Sequence, residues 1–415
     1  MSLAKILNEL HNSNEYPLHM PGHKRQYSPN ELLSEAYRLD ITEIEGYDNL
    51  YDAGGILKSA MDRAGGLYGC PDTYFCVNGS TTGVITAIYT VTGQGDHIII
   101  ARNCHRSVYS AIELRELTAD YIETKKLLCE EIDGGITPEA VSEAINASIK
   151  KGKLPAAVVI TSPNYDGVIS DIERIAQITH IYGIPLIVDE AHGAHLSLNE
   201  KLPEGAIKAG ADIVIHSTHK TLAAMTQTAL LHAQGRLVDI NKLKKYWRTF
   251  QTSSPSYVLM ASIDAAIINQ AEDGDKLWSE FLTNRSLFFQ RIQGLRHLHI
   301  LNEEDIQERS DIKALDPCKI TVITDGSIDG VGLQCTLLDD YGIQLELAGK
   351  QRIIAIVTYA DTKEGFERFA SALIEIDKRI DVGELKDKGY FTQASGAVGE
   401  NCELYAPCIP GRIIG

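Results

Sequence analysis

IVIHSTHKTLAAMTQTALLH, residues 213 to 232, runs from apolar residues into a cluster of hydroxyls, histidines and a lysine, then back to apolar residues. Residues 212–215 predict a buried strand, because an unbroken β-branched run suits a strand covered on both faces. Residues 228–232 predict the next strand, returning to the same sheet. Between the two, Ser217, Thr218, His219 and Lys220 fall where a strand gives way to a loop. In an open α/β sheet that carboxyl edge is where ligands bind.

The same alternation extends outward on both sides. Further strands are predicted at 74–77, 97–101, 121–123, 156–161 and 185–188. A helix is predicted over 137–151, with Thr137 as N-cap, Pro138 in the first turn and Gly152 just past the end. Another is predicted over 171–182, closing on Gly183. Strands separated by helices of this length indicate βαβ units in a mostly parallel, doubly wound sheet.

After residue 257 the pattern changes. A long helical stretch over 261–295 leads to strands near 298–301, 319–324 and 352–358. A final helix over 362–378 places Phe366, Phe369, Leu373 and Ile376 on one face. The expected architecture is therefore α/β: a mixed, turn-rich N-terminal segment (1–50), a large domain with the mostly parallel sheet (51–260), and a smaller C-terminal α+β domain (261–415).

Composition narrows the function classes. No apolar run approaches the roughly 20 residues needed to span a bilayer. The opening MSLAKILNELHNSNEY lacks the apolar core of a signal peptide, so a cytoplasmic location is expected by default. A net charge of -17, from 39 Lys+Arg against 56 Asp+Glu, argues against a nucleic-acid partner. The eight cysteines contain no C-x-x-C pair and read as buried or incidental thiols in a reducing compartment.

Four features fall at predicted strand ends. Asn78-Gly79-Ser80-Thr81-Thr82-Gly83 follows a strand and opens a helix, offering backbone N–H groups and hydroxyls to an anion. The plain alternative is an N-cap alone. Asp189, in VDEAHGAH (188–195), puts a carboxylate at the sheet edge. His192 and His195 beside it invite a metal, but the spacing departs from H-E-x-x-H and no third ligand stands out, so no metal is expected. Pairing of Asp189 with a heterocyclic nitrogen is the other reading. Ser217 and Lys220 match the S-x-x-K signature of serine acyltransferases, but the partner motifs S-D-N and K-T-G are missing. Lys220 is then the better nucleophile, since a desolvated lysine forms Schiff bases with carbonyls. His105, after the strand at 97–101, could stack on an aromatic cofactor or be merely structural.

Each feature alone is weak. An anion cradle, a strand-end Asp and a Lys one strand–loop unit later together describe a pyridoxal 5'-phosphate site. Ser80, Thr81 and Ser217 would hold the phosphate, Asp189 would keep the ring nitrogen protonated, and Lys220 would carry the aldehyde.

With these residues in view, the chain resembles the Orn/Lys/Arg decarboxylase family, fold-type I pyridoxal phosphate enzymes of prokaryotic type. The matching motifs, in family order, are PLHMPGHKR (17–25), DITEIEGYDNLYDAGG (40–55), VNGSTTG (77–83), ARNCHRSVYSAI (101–112), SPNYDGV (162–168), VDEAHGAH (188–195), HSTHKTLAAMTQTALLH (216–232) and QTSSPSYVLMAS (251–262). The resemblance implies Lys220 as the Schiff-base lysine, Asp189 as the pyridinium partner and His105 stacked on the ring. It implies Ser80, Thr81 and Ser217 at the phosphate, with Ala191, His192 and His219 lining the cofactor. It also implies a homodimer or higher homo-oligomer with shared active sites, in which Ser253 and Ser254 reach the neighbouring subunit's phosphate.

The implied reaction is decarboxylation of lysine, ornithine or arginine, with His219 or Lys220 returning a proton to Cα. The chain departs from the family near its end, where residues 403–411 read ELYAPCIPG instead of a Tyr-Pro-Pro-Gly-Ile-Pro-like stretch followed by an acidic residue. Glu400 or Glu403 could serve as that acid. The departure keeps another fold-type I reaction open, an aminotransferase or a lyase on an unusual amino acid, and behind it a catalytically silent relative.

Overall fold

The computed structural model describes residues 1–13 and 15–385. Seven strands form the large sheet: β1 (Asp72–Cys76), β2 (His97–Ala101), β3 (Thr118–Ile122), β4 (Val158–Thr161), β5 (Leu186–Asp189), β6 (Ile213–His216) and β7 (Ala229–Ala233). Their spatial order is β1-β7-β6-β5-β4-β2-β3. Pairings from β6 through β5, β4 and β2 to β3 are parallel, and β7 runs antiparallel to both β1 and β6. The mostly parallel sheet expected from the alternation is present. Strands β2, β5 and β6 are buried at every position, as parallel strands covered by helices on both faces require.

Since β1, β2, β5 and β6 run the same way, their C-terminal ends share one edge of the sheet. That edge receives the four motifs. Helices between strands begin where their caps predict: Thr137 Oγ1 accepts from Ala140 N (3.0 Å) ahead of Pro138–Lys150, and Asp171 Oδ1 accepts from Arg174 N (3.3 Å) ahead of Ile172–Ile181. The edge strand β3 begins at Thr118, three residues before the predicted 121. Its register is set by pairing with β2, His97 opposite Thr118 through Ala101 opposite Ile122, and its polar first half carries no strand signal of its own.

The N-terminal segment contains more regular structure than its turn-rich sequence suggests. Helix Leu3–His11 buries Leu3, Leu7 and Leu10, spaced four and three apart on one face, and these join Ile41 and Leu50 in the core of the large sheet. Leu3 N donates to Asp264 Oδ2 (2.7 Å), while Arg63 Nε and Nη2 donate to Asp264 Oδ1 (3.0 and 2.6 Å). The Asp264 side chain is fully buried. Replacing it with alanine leaves Arg63 without its partner and strips the helix start of an acceptor. Asp264→Ala is expected to cost about 3–5 kcal/mol, the range for breaking a buried pair from one side. Chemical denaturation measures it, and a loss under about 1 kcal/mol, typical of a surface pair, would contradict the role.

Helix Tyr257–Arg291 begins four residues earlier than the predicted 261, because Ser256 Oγ accepts from Leu259 N (3.3 Å) and caps it there. Tyr257, Met260, Ile263 and Ile267 pack in the large-sheet core, whereas Trp278, Phe281 and Phe288 pack in a second one. That second core lies on a four-stranded antiparallel sheet of β8 (Leu298–Ile300), β9 (Lys319–Thr324), β10 (Leu347–Ala348) and β11 (Arg352–Ile356), ordered β8-β9-β11-β10. Helix Lys363–Asp381 closes it with Phe366, Phe369, Leu373 and Ile376, and Phe288 stacks on Phe369 at 5.4 Å between ring centres.

Among the described residues no helix is long and apolar enough to cross a membrane. Glu400, Glu403 and the 405–411 stretch lie outside the described residues.

Candidate active site

Asp189 is the last residue of β5 and is 3% exposed. Its Oδ1 accepts from Ala191 N (3.2 Å), and Ala191 O accepts from Ser217 N (3.3 Å), so the ends of β5 and β6 are tied together. The Ser217 hydroxyl is buried without a hydrogen-bond partner among the described residues. An orphaned hydroxyl costs about 1–3 kcal/mol, a cost expected where a ligand completes the bond.

Helix Gly79–Val91 opens the neighbouring strand end. Gly79 takes φ +81°, a left-handed conformation that favours glycine. Asn78 precedes it without capping the helix, because its Oδ1 accepts instead from Thr252 N (3.2 Å). The first N–H groups of the helix are thus left to a ligand. Ser80 is half-buried and Thr81 exposed on that turn, and Ser253 and Ser254 are exposed immediately after Thr252. Thr252 stands beside this chain's own cradle, so the hydroxyl-rich segment and the cradle are brought together within one chain.

Lys220 sits in the short helix Thr218–Thr221 that follows β6. Burial holds its ammonium below the ordinary lysine range, while Asp189 and Glu346 pull it back up. Its Nζ lies 3.0 Å from Nε2 of His192. His105 caps helix Arg106–Leu114, with Nδ1 accepting from Ser107 N (3.2 Å), which leaves the ring proton on Nε2. The surrounding protein lowers its pKa, Asp189 opposes that shift and Lys220 adds to it. His105, Asp189 and Lys220 therefore lie close enough for the charge of each to act on the others. His219 donates from Nδ1 to Thr228 O (2.8 Å), and burial keeps its imidazole neutral-leaning.

The H-x-x-H spacing divides. His192 faces the lysines, whereas His195 Nε2 lies 2.8 Å from Asp316 Oδ1, deep beneath the site. His195, Asp316 and Cys318 offer donor atoms within 4.8 Å of one another, and the positive charges of Lys319 and Arg285 act on them.

Three features carry no sequence signal. Lys319 and Glu346 enter the site from the smaller sheet, Lys319 Nζ lying 2.9 Å from His192 Nδ1 and Glu346 Oε1 accepting from Tyr165 Oη (2.5 Å). The third is a buried chain: Thr73 Oγ1 to His232 Nδ1 (2.9 Å), His232 Nε2 to His216 Nδ1 (3.1 Å), and His216 Nε2 to Glu190 Oε2 (2.7 Å). The two outer histidines of the 216–232 stretch thus brace strands β1, β7 and β6 behind the site.

These residues fit a pyridoxal phosphate. An amine is held below its usual pKa, a buried carboxylate has one oxygen committed to backbone, an orphaned hydroxyl is aimed from a strand end, and a helix start is uncapped.

Comparisons with known proteins agree with that fit. Residues 2–365 match the family model described as Orn/Lys/Arg decarboxylase, major domain. The chain is 33% identical over 365 residues to the Bacillus subtilis protein YaaO, covering 86% of this chain and 73% of that protein. It is 31% identical over 370 residues to an arginine decarboxylase of Bacillus anthracis, covering 88% and 74%. The lysine decarboxylase LdcF of Francisella novicida shares its fold, with a TM-score of 0.80 at 20% identity, covering 92% of this chain and 60% of that structure.

Proposed function

We propose that this chain, which belongs to the Orn/Lys/Arg decarboxylase family of pyridoxal phosphate-dependent enzymes, converts lysine, ornithine or arginine to the corresponding amine and CO2. The observation that carries the reading is the meeting of Lys220, Asp189 and His105 beside the unpartnered Ser217 hydroxyl. When bound, the cofactor supplies an electron sink for the bond that breaks at Cα.

The chain's residues supply the rest. Ser80, Thr81 and Ser217 bind phosphate with the N–H groups of the helix start. Asp189 would hold a proton on the ring nitrogen through its charge, and His105 would lie against the ring. Ala191, His192 and His219 line the ring, and Lys220 attaches the cofactor. Return of a proton to Cα falls to His219 or Lys220. The negative charge of Glu346, acting at Lys220, suits a cationic substrate. The exposed Ser253 and Ser254 face a second copy in a homodimer or higher homo-oligomer, acting in the cytoplasm.

A panel of amino acids incubated with the purified, cofactor-loaded protein tests the reading. CO2 and amine from one of the three basic amino acids is the expected result. Keto acid without CO2 would turn the assignment toward an aminotransferase, and no turnover of any amino acid would sink it.

Ser217→Ala provides a finer test. Removing a hydroxyl that bonds none of the described residues is expected to leave the cofactor-free stability within about 0.5 kcal/mol. Loss of a charge-assisted bond worth about 1.5–3 kcal/mol would raise the cofactor Kd roughly 10- to 100-fold. Equilibrium titration measures it, and an unchanged Kd would remove Ser217 from the phosphate site.

A further inference from the structure

Lys319 begins β9 in the smaller sheet, yet its side chain ends at the active-site edge of the large one. Gly167, at φ +94°, lets the intervening loop lie against it, since a Cβ there would come 2.8 Å from Lys319 Cβ. The Nζ of Lys319 is 2.9 Å from His192 Nδ1, and the Nζ of Lys220 is 3.0 Å from His192 Nε2. One imidazole therefore carries a lysine amine on each nitrogen.

That arrangement sets a proton count. Neutral histidine has one N–H and one lone pair. It accepts from one lysine as an ammonium and donates to the other only if that lysine is a neutral amine. Both contacts are made only when at least one of the two lysines is a neutral amine.

We propose that Lys319 is a positioning residue that acts through His192, taking up the proton of Lys220 so that Lys220 becomes a nucleophilic amine. An N–H bond of the Lys220 ammonium breaks as Nε2–H forms. In concert, Nδ1–H breaks as an N–H bond forms on the Lys319 amine. The charge moves from Lys220 to Lys319, His192 ends neutral in its other tautomer, and no proton enters or leaves. Lys220 keeps the lone pair that attack on an aldehyde requires.

Transfer in this direction runs toward the weaker base, so it is attack by the Lys220 amine, not the resting equilibrium, that draws it forward. Lys319 is 4% exposed, and burial, aided by the charge of Lys220, pushes its pKa down to about 8, against the pull of Asp316, Glu346 and Cys318. It can therefore be the uncharged member of the pair. Burial first, then the two lysines, holds His192 far below its ordinary value, so the ring passes a proton on and does not store it. Tyr165 also faces Lys319, its ring centre 5.1 Å from Nζ, and Asp166 is engaged by Arg352 Nε (2.5 Å). Among the described residues no carboxylate oxygen lies within 4.0 Å of Lys319 Nζ to hold it permanently charged.

The inference rests on Lys220 being the cofactor lysine, and its test separates the two. In the full-length chain freed of cofactor, the rate of pyridoxal phosphate addition is followed against pH, with the adduct trapped by borohydride and located by peptide mass mapping. Wild type is expected to show a rate rising through about pH 8. In Lys319→Met the rise moves at least one unit upward, a loss of about tenfold at neutral pH. Lys319→Gln, which still accepts from Nδ1–H but is no base, should behave as Lys319→Met does and stands alone if the methionine variant does not fold. A folded variant with the wild-type profile overturns the relay, as does recovery by glutamine alone, which would mark a mere hydrogen bond. Wild type adding no cofactor at Lys220 would overturn the cofactor assignment, and the relay with it.

Discussion

Lys220→Ala is expected to abolish covalent attachment of pyridoxal phosphate and to lower CO2 release by a factor on the order of 10⁴–10⁶, the scale on which enzymes lose rate when a covalent nucleophile is removed. The reason lies in where this amine stands. Burial disfavours its ammonium, and His192 Nε2 is 3.0 Å away to accept a proton. Alanine removes both the amine and the group that His192 serves. Loss of visible absorbance together with disappearance of the trapped peptide adduct measures the effect. Lys319 provides a built-in control, because it lies on the other side of the same imidazole. An adduct appearing at Lys319 in wild type, or attachment persisting undiminished in the variant, would move the assignment away from Lys220.

Asp189→Asn is expected to reduce turnover by about 10²–10³, the scale for removing one preorganised electrostatic contact. Asparagine is nearly isosteric, and its Oδ1 can still accept from Ala191 N, so the tie between the ends of β5 and β6 survives. What disappears is the negative charge proposed to hold a proton on the ring nitrogen. The same charge raises the pKa of both His105 and Lys220. Its removal must therefore lower both, so in the cofactor-free protein the His105 titration, read by NMR, should shift to lower pH. Turnover above half of wild type would show that Asp189 is structural. A His105 titration that does not move would separate that imidazole from Asp189.

Much of the site was legible because its parts are local. A strand end, its loop and the first turn of the next helix are contiguous in sequence, so Asn78–Gly83, Asp189–His192 and Ser217–Lys220 each announce themselves in a few residues. Parallel strands then carry those loops to one edge. The helices at 138–150 and 172–181 were legible for a similar reason, since Thr137 and Asp171 act within three residues of themselves. The start of β3 was not, because pairing with β2 decides it. Nor was the anchoring of the first helix at Leu3, which rests on Asp264 more than 250 residues away.

By itself, the sequence determined the parallel-sheet architecture, the cofactor and the lysine, aspartate and hydroxyls expected to meet it, all through short-range order. Tertiary structure alone decided which distant side chains complete the site. Lys319 and Glu346 arrive from the smaller sheet, and the Thr73–His232–His216–Glu190 chain crosses three strands. Such contacts are set by packing between surfaces far apart along the chain, where residue type records the need for a partner but not its identity. The two lysines on His192 are the clearest case: each is an ordinary cation in sequence, and only their shared imidazole makes the charge of one depend on the other.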